Sequence, residues 1–406
     1  MVAGRHSMKR SRAEAALAVV FAVVIMLAGG AAIYFVSTIS VHPNPAAVPS
    51  TTVAPHDERY SAAVKEARGL SRALLLEENL PGLSVAVAAD GKIVWAEGFG
   101  WADVERRVVL SPATRFRLGA ASKPLTAGAV ALLHDRGRID LDAPVQRYAP
   151  AYPEKQWTIT TRHLMGDVAG VHRIRGDNND AMPGRHCASL DEALALFADE
   201  PLLFRPGTEY RYSIYGWVLV SAVVAGAAGE PFPAFMTREV FEPLGMNSTV
   251  LEEIDVVPDT TSFYGPRAAM RTDLGVELTS PAHYSCLAGA GAFLSTPSDL
   301  VRFGAAMMKP GLLKADTIAL MQTPFRLESG ASTEYALGWK VDHVPLAGAP
   351  VRMLGHRGSP VGGTISLMTF PDLGLVIAAT SNVTHTNGVA PLGLKIAEAF
   401  TRPPPN

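Results

Sequence analysis

The chain has 406 residues, enough for one large folding unit or two intertwined ones around a substantial core. A formal net charge of −2 argues against a nucleic acid or another highly charged polymer as the main partner. Only two cysteines are present, Cys187 and Cys286, so a disulfide framework and a cysteine-rich metal site are excluded; the spacing leaves open one bridge or two unpaired thiols.

Residues 1–14 form a basic tail carrying Arg5, Lys9, Arg10 and Arg12. Ala15 to Ile39 follows as an uncharged run of 25 residues. As a helix it would be about 37 Å long, more than the roughly 30 Å hydrocarbon core of a bilayer. It is also longer than the usual apolar part of a cleavable signal. The expectation is a single-pass signal anchor in the inner (cytoplasmic) membrane, with the basic tail inside and the rest on the periplasmic or extracytoplasmic side. A cleaved long signal is the alternative. Residues 40–56 include the run His42–His56, rich in Pro, Ser and Thr, which reads as an extended linker.

A folded domain is expected over residues 57–402. Tyr60, Val64, Ala67, Leu70 and Leu74 recur at helical spacing from about Asp57. Leu83–Ala89 and Ile93–Gly100 then flank Asp90-Gly91-Lys92, a hairpin signal. Helical patterns return at Leu190–Ala198 and Tyr215–Ala227. Strand patterns appear at Tyr335–Val341, Thr364–Phe370 and Leu375–Thr380, with Pro371–Gly374 turning the last two. A helix over Ala390–Phe400 ends the chain. Strands at both ends with helices between them predict an α+β fold. One antiparallel sheet is built from both chain ends with flanking helices, and a mainly helical subdomain, roughly 140–290, is inserted; a groove lies where the two meet.

The chemistry centres on RFRLGAASKPLTAG, residues 115–128. In the S-x-x-K arrangement a serine attacks a carbonyl and a lysine three residues on handles its proton. Lys123 is present, but Ala120 stands three residues before it. Ser122 is on a different face of the turn and is expected only to hydrogen-bond locally. Tyr212-Ser213-Ile214 follows, just ahead of an apolar helix, where a tyrosine can relay a proton if a lysine lowers its pKa. His356-Arg357-Gly358 comes later, immediately before a strand, with a glycine that lets a ligand approach closely. Asp140 and Asp142 read as turn residues. Arg173 and Arg175, near Asp177, Asn178 and Asn179, read as a solvated loop that could touch an acidic ligand. Asn247-Ser248-Thr249 and Asn382-Val383-Thr384 match the glycosylation pattern.

Taken in this order, these motifs resemble the serine β-lactamase-like family of class C β-lactamases, penicillin-binding DD-peptidases and related esterases. The phrases LPGLSVAVAADGKIVWAEGFGWADVERR, GRIDLDAPVQRYAPAYPEKQWTITTRHL and LGHRGSPVGG are similar to the mitochondrial serine β-lactamase-like proteins and their bacterial relatives. The resemblance covers nearly all of residues 57–400. It implies acyl-serine hydrolysis of amide, ester or β-lactam bonds without a metal or organic cofactor. It places Ala120 at the nucleophile position, Lys123 as base, Tyr212 as relay and His356 in a third motif lining the cleft. Ser213, Gly358, Ser359 and Gly362 are implied binding residues, with backbone N–H groups near Ser359–Gly363 completing an oxyanion hole.

Three departures from the family pattern stand out: Ala120 for serine, Ile214 for the asparagine of Tyr-Ser-Asn, and Asp167-Val168-Ala169-Gly170 for His-Thr-Ser-Gly. The implied function is therefore a membrane-anchored serine hydrolase inactive as written. The alternative is a pseudoenzyme that binds ligands or self-assembles as a scaffold. A third reading makes Lys123 a structural lysine. Expected partners are a peptide, ester or β-lactam-like small ligand, the membrane and a second copy of the chain, with no nucleic acid.

Overall fold

A computed structural model of the chain describes residues 16–27, 29–30, 38–52, 57–173, 185–252, 257–268 and 270–402. The strands are β1 (Ser50–Thr52), β2 (Gly82–Ala89), β3 (Lys92–Asp103), β4 (Val108–Val109), β5 (Phe116–Arg117), β6 (Val250–Leu251), β7 (Tyr264–Ala268), β8 (Arg271–Leu278), β9 (Phe293–Ser295), β10 (Lys340–Leu346), β11 (Ala349–Gly358), β12 (Thr364–Phe370) and β13 (Leu375–Ser381). The helices are α1 (Ala16–Leu27), α2 (Ser61–Glu77), α3 (Lys123–Asp135), α4 (Thr161–Met165), α5 (Leu190–Ala195), α6 (Ile214–Ala228), α7 (Phe232–Phe235), α8 (Pro297–Ala306), α9 (Ala315–Met321) and α10 (Val389–Thr401).

β2 and β3 join through Asp90 and Gly91, with φ of 52° and 86°. Two left-handed residues make the hairpin turn whose twist matches that of the flanking strands, which is why an Asp-Gly pair sits there. The main sheet runs β1-β3-β2-β13-β12-β11-β10, with β4 added to β3, and every pairing is antiparallel. The centre of the sheet joins the chain ends, since β13 pairs with β2 from Leu375↔Ala89 to Ser381↔Leu83. Both strands are buried along their whole length, so helices must cover both faces. Leu83, Val85 and Val87 enter the core shared with α2 and α10, while Ala86 and Ala88 enter the other core, to which α8 belongs. α8 comes very close there: a Cβ on Gly304 would lie 2.7 Å from Val376 Cγ1. α3 and α6 pack together in that second core. α6 is buried continuously from Tyr215 to Val224, which explains a run that is apolar all round.

The α+β class and the two-ended sheet are as the sequence predicts. Three local expectations are not. The strand expected over Tyr335–Val341 begins only at Lys340; Tyr335, Ala336, Leu337 and Trp339 form a buried irregular segment that mimics a strand's apolar content. His356-Arg357-Gly358 does not stand immediately before a strand but ends one, β11, with β12 starting only at Thr364. Residues 40–52 are not a free linker: β1 extends the sheet, His42 and Val48 are buried, and Arg72 donates to Val48 O at 3.1 Å. The expected span Ala15–Ile39 lies partly outside the described residues. Among the described residues no single helix is long and apolar enough to cross a membrane; α1 is a short apolar helix with exposed side chains.

Asp140 and Asp142 do form a turn, with Asp142 N–H on Asp140 Oδ1 at 3.0 Å and Arg162 paired to Asp142. Of the two glycosylation matches, Asn247 is exposed, whereas Asn382 is fully buried and donates to Trp101 O and Thr261 Oγ1.

Cys187 and Cys286 are joined in a disulfide across a sequence separation of 99 residues, which settles the pairing the spacing left open. It ties the approach to α5 to the segment Ser285–Ala290. Closing so long a loop removes unfolded-state entropy, so the Cys187→Ser/Cys286→Ser protein is expected to lose about 2–5 kcal/mol of stability. Denaturant titration of the two forms side by side checks this.

Candidate active site

The S-x-x-K-like stretch folds as a 3₁₀ turn, Gly119–Ser122, that runs directly into α3 at Lys123. Pro124 stands at the start of that helix, where its fixed φ fits and its missing N–H costs nothing. Ala120 is half-buried and faces a groove with its methyl group alone. Ser122 is fully buried, and its Oγ accepts the Phe293 N–H at 3.4 Å; it does not line the groove and offers no replacement nucleophile.

Lys123 is completely buried. Its Nζ lies 3.4 Å from the centre of the Tyr212 ring, 3.4 Å from Ser213 O and 4.0 Å from Asp167 Oδ2. Burial pushes its pKa down to about 8, while Asp167 pulls it up and Arg173 opposes that. Asp167 is equally buried, and burial pushes its carboxyl up to about 6 against the pull of Lys123 and of the Ser213 N–H, which donates to Oδ1 at 3.1 Å. The two form a coupled ion pair sealed from solvent. Tyr212 is held by the lysine at its ring face. Its hydroxyl pKa is raised, chiefly by burial and then by Asp167, not lowered as a proton relay would require.

The motifs give Asp167 only as part of the departure from His-Thr-Ser-Gly, not as the partner of Lys123. The signal was available: a single carboxylate inside the apolar run Leu164-Met165-Gly166-Asp167-Val168-Ala169-Gly170 must be buried and needs a cation. Ser213 acts as a cap. Its Oγ accepts from Gly216 N–H at 2.9 Å at the start of α6 and donates to His172 O, and it does not line the groove.

His356 lines the groove from the end of β11 but is 9% exposed. Its Nδ1 lies 2.8 Å from Arg357 O, which can only accept, so Nδ1 carries the proton. Nε2 then accepts from the Tyr335 hydroxyl at 3.2 Å. Burial, with Lys123 adding to it, pushes its pKa down to about 3, so the ring is neutral with both nitrogens occupied. Tyr335, which is buried, is legible in the sequence only as part of a strand-like run, not as the partner of His356.

Gly358 brings β11 against the 3₁₀ turn: a Cβ there would lie 1.9 Å from Leu118 O. Gly358→Ala is expected to cost about 1–3 kcal/mol because strand and turn must separate, read as a lowered unfolding midpoint. Ser359 follows in the groove wall. Gly362 lies outside the groove, at φ 75°, with its N–H on Thr384 Oγ1 at 2.6 Å.

The groove has a volume of about 750 Å³. Ala120, Tyr212, Ile214, His356, Gly358 and Ser359 share it with Arg173, Arg357 and the wall from His283 to Gly291. That wall is pinned from behind, where Thr126 Oγ1 donates to Gly289 O at 2.8 Å and Gly289 N–H reaches Ser221 Oγ at 3.0 Å. Among the described residues, two arginines and no carboxylate line the groove. Arg175, Asp177, Asn178 and Asn179 lie outside the described residues. Among the described residues no group of three or more His, Cys, Asp or Glu could hold a metal ion.

The Beta-lactamase family model matches residues 56–399. The mouse (Mus musculus) "Serine beta-lactamase-like protein LACTB, mitochondrial" is 28% identical, over 87% of this chain and 83% of its own length. "Penicillin-binding protein 4*" of Bacillus subtilis is 25% identical over 78% of this chain and 71% of its own. Among solved structures, the D-amino acid amidase of Ochrobactrum anthropi aligns with a TM-score of 0.71 at 22% identity, covering 84% of this chain and 99% of that one. The octameric penicillin-binding protein homologue of Pyrococcus abyssi aligns at 0.69 and 22%, covering 83% and 77%. The last two show the fold. With the groove, the turn into Lys123 and the two-ended sheet in place, the family model decides the identity: this chain belongs to the beta-lactamase family.

Proposed function

We propose that this protein is a membrane-anchored, extracytoplasmic member of the serine hydrolase branch of its family that binds acyl ligands in the groove without hydrolysing them. One observation carries the reading. At the turn where the motif would set a serine hydroxyl before the lysine, Ala120 presents a methyl group, while Lys123 is buried in a pair with Asp167. Losing the nucleophile of a serine hydrolase lowers turnover by about 10⁶. Of the motif lysine and histidine, one is a paired cation and the other a neutral ring with no free nitrogen.

The ligand class follows from the lining. Among the described residues Arg173 and Arg357 line the groove without an opposing carboxylate, which favours an anionic group, and the apolar wall accommodates the rest. A peptide or β-lactam carrying a carboxylate fits, and similarity to a penicillin-binding protein supports it. Anchoring is supported by the uncharged run Ala15–Ile39 behind a basic tail. An extracytoplasmic domain is supported by the disulfide, which persists in oxidising compartments.

The test pairs two assays on the full chain in detergent. A chromogenic cephalosporin and a p-nitrophenyl ester should show no turnover above buffer. Titration calorimetry with benzylpenicillin should show reversible binding that Arg357→Ala weakens. Turnover that co-purifies with the protein, or no binding at all, would overturn the reading.

A further inference from the structure

The chain emerging from the uncharged run is tied to the domain at once. Ile39, its last residue, gives its carbonyl to Asn79 Nδ2 at 2.8 Å, and Asn79 Oδ1 accepts the Val41 N–H at 2.7 Å. The same amide donates to Thr272 O on β8 at 2.9 Å. Asn79 is buried and holds a left-handed φ of 50°, so its three bonds are fixed in place. Thr272 Oγ1 donates to Glu78 O, and a Cβ on Gly275 of β8 would lie 3.3 Å from Ile39 Cβ. His42 is buried next, with Nε2 2.9 Å from Leu80 O. One side chain thus joins the end of the run, the exit of α2 and the start of β8.

We infer that the β7–β8 hairpin is the membrane-facing surface of this protein, with its tip at Met270–Arg271 set among the lipid headgroups. The inference rests on the anchoring proposed above. A membrane-spanning run that leads into Ile39 brings the bilayer surface towards Asn79 and the start of β8, because Ile39 is already bonded to the domain. Strands advance about 3.3 Å per residue, so Met270 lies roughly 7 Å along β8 from Thr272. The headgroup layer is roughly 5–8 Å deep on each side of the hydrocarbon, so the tip is within its reach. The chemistry agrees. Met270 is 62% exposed, more than any other large apolar residue described beyond Leu27. Arg271 beside it is exposed and paired with Asp273, so it brings no uncompensated charge to the tip, and its long stem can lie on the apolar boundary. At a bilayer surface the Met270 side chain would be buried among the lipid.

The test uses the full chain in phosphatidylcholine/phosphatidylglycerol vesicles containing nitroxide-headgroup lipid. Met270→Cys and Leu373→Cys are each labelled with bimane, which the bridged Cys187 and Cys286 do not take up. Leu373 is 41% exposed in the turn at the far end of β13, about 20 Å from the Asn79 end by strand length. The label at 270 should lose most of its emission, and the label at 373 should match its nitroxide-free control. Equal, weak quenching at both positions in protein that floats with the vesicles overturns the surface while leaving the anchor standing. Failure to float overturns the anchor and the surface together.

Discussion

Removing one partner of the Lys123–Asp167 pair, by Lys123→Ala or Asp167→Ala, is expected to lower stability by about 3–5 kcal/mol, because each leaves a buried charge without its counter-charge. Lys123→Met/Asp167→Leu, which removes both charges and keeps the volume, should be neutral or stabilising. A double-mutant cycle by urea denaturation measures the difference. Its pH dependence has a definite sign. The Asp167 carboxyl is raised to about 6 in the folded protein, so folding binds its proton, and stability should fall as pH rises from about 4 to 6. Lys123 is lowered to about 8, so folding releases its proton, and stability should recover as pH rises from about 8 to 10.4. The pair therefore contributes least between these two windows, and the apolar double variant should lose both slopes. A catalytic lysine that exchanged freely with solvent would show neither.

The second large effect concerns activity. Ala120→Ser supplies the hydroxyl at the turn, and slow ester hydrolysis should appear, limited by the protonation of Lys123. With its pKa at about 8, about a tenth of the lysine is neutral at pH 7. Asp167 is the group that keeps the proton on, so Ala120→Ser/Asp167→Asn should raise the rate at pH 7 by up to about tenfold. The acid limb of its pH profile should move down from about 8. The same change lowers stability, as above, so rates are compared well below the unfolding midpoint. If Ala120→Ser is folded and both versions remain inert across the pH range, the groove has lost more than a hydroxyl.

The parts of this fold that could be read from residues are those whose signals are local. The Asp90-Gly91 turn requires two left-handed residues, and the alternation on either side sets the β2–β3 hairpin. Thr364–Phe370 and Leu375–Ser381 are β-rich runs separated by a proline and a glycine, and both are strands. β11 escaped because Ala349–Gly358 carries a proline, two arginines and two glycines. Those glycines serve close backbone approach, with a Cβ on Gly355 lying 2.5 Å from Leu367 O. The Pro-rich segment after the uncharged run looked like a linker because its bonds are to distant partners, Asn79, Leu80 and Arg72, which no window of neighbours contains. The site divides in the same way. Lys123, Tyr212 and His356 could be found by motif. Their actual states are set by Asp167 and Tyr335, residues 44 and 21 positions away from their partners, and by burial that is complete only for Lys123.

The most direct measurement is the intact mass of the full chain after incubation with a fluorophosphonate and, separately, with benzylpenicillin, alongside the Ala120→Ser protein. The account predicts an unchanged mass for the chain as it stands and a covalent adduct on Ala120→Ser that maps to residue 120. An adduct on the unaltered chain would mean that another residue is the nucleophile, and would contradict the claim that the groove binds without reacting.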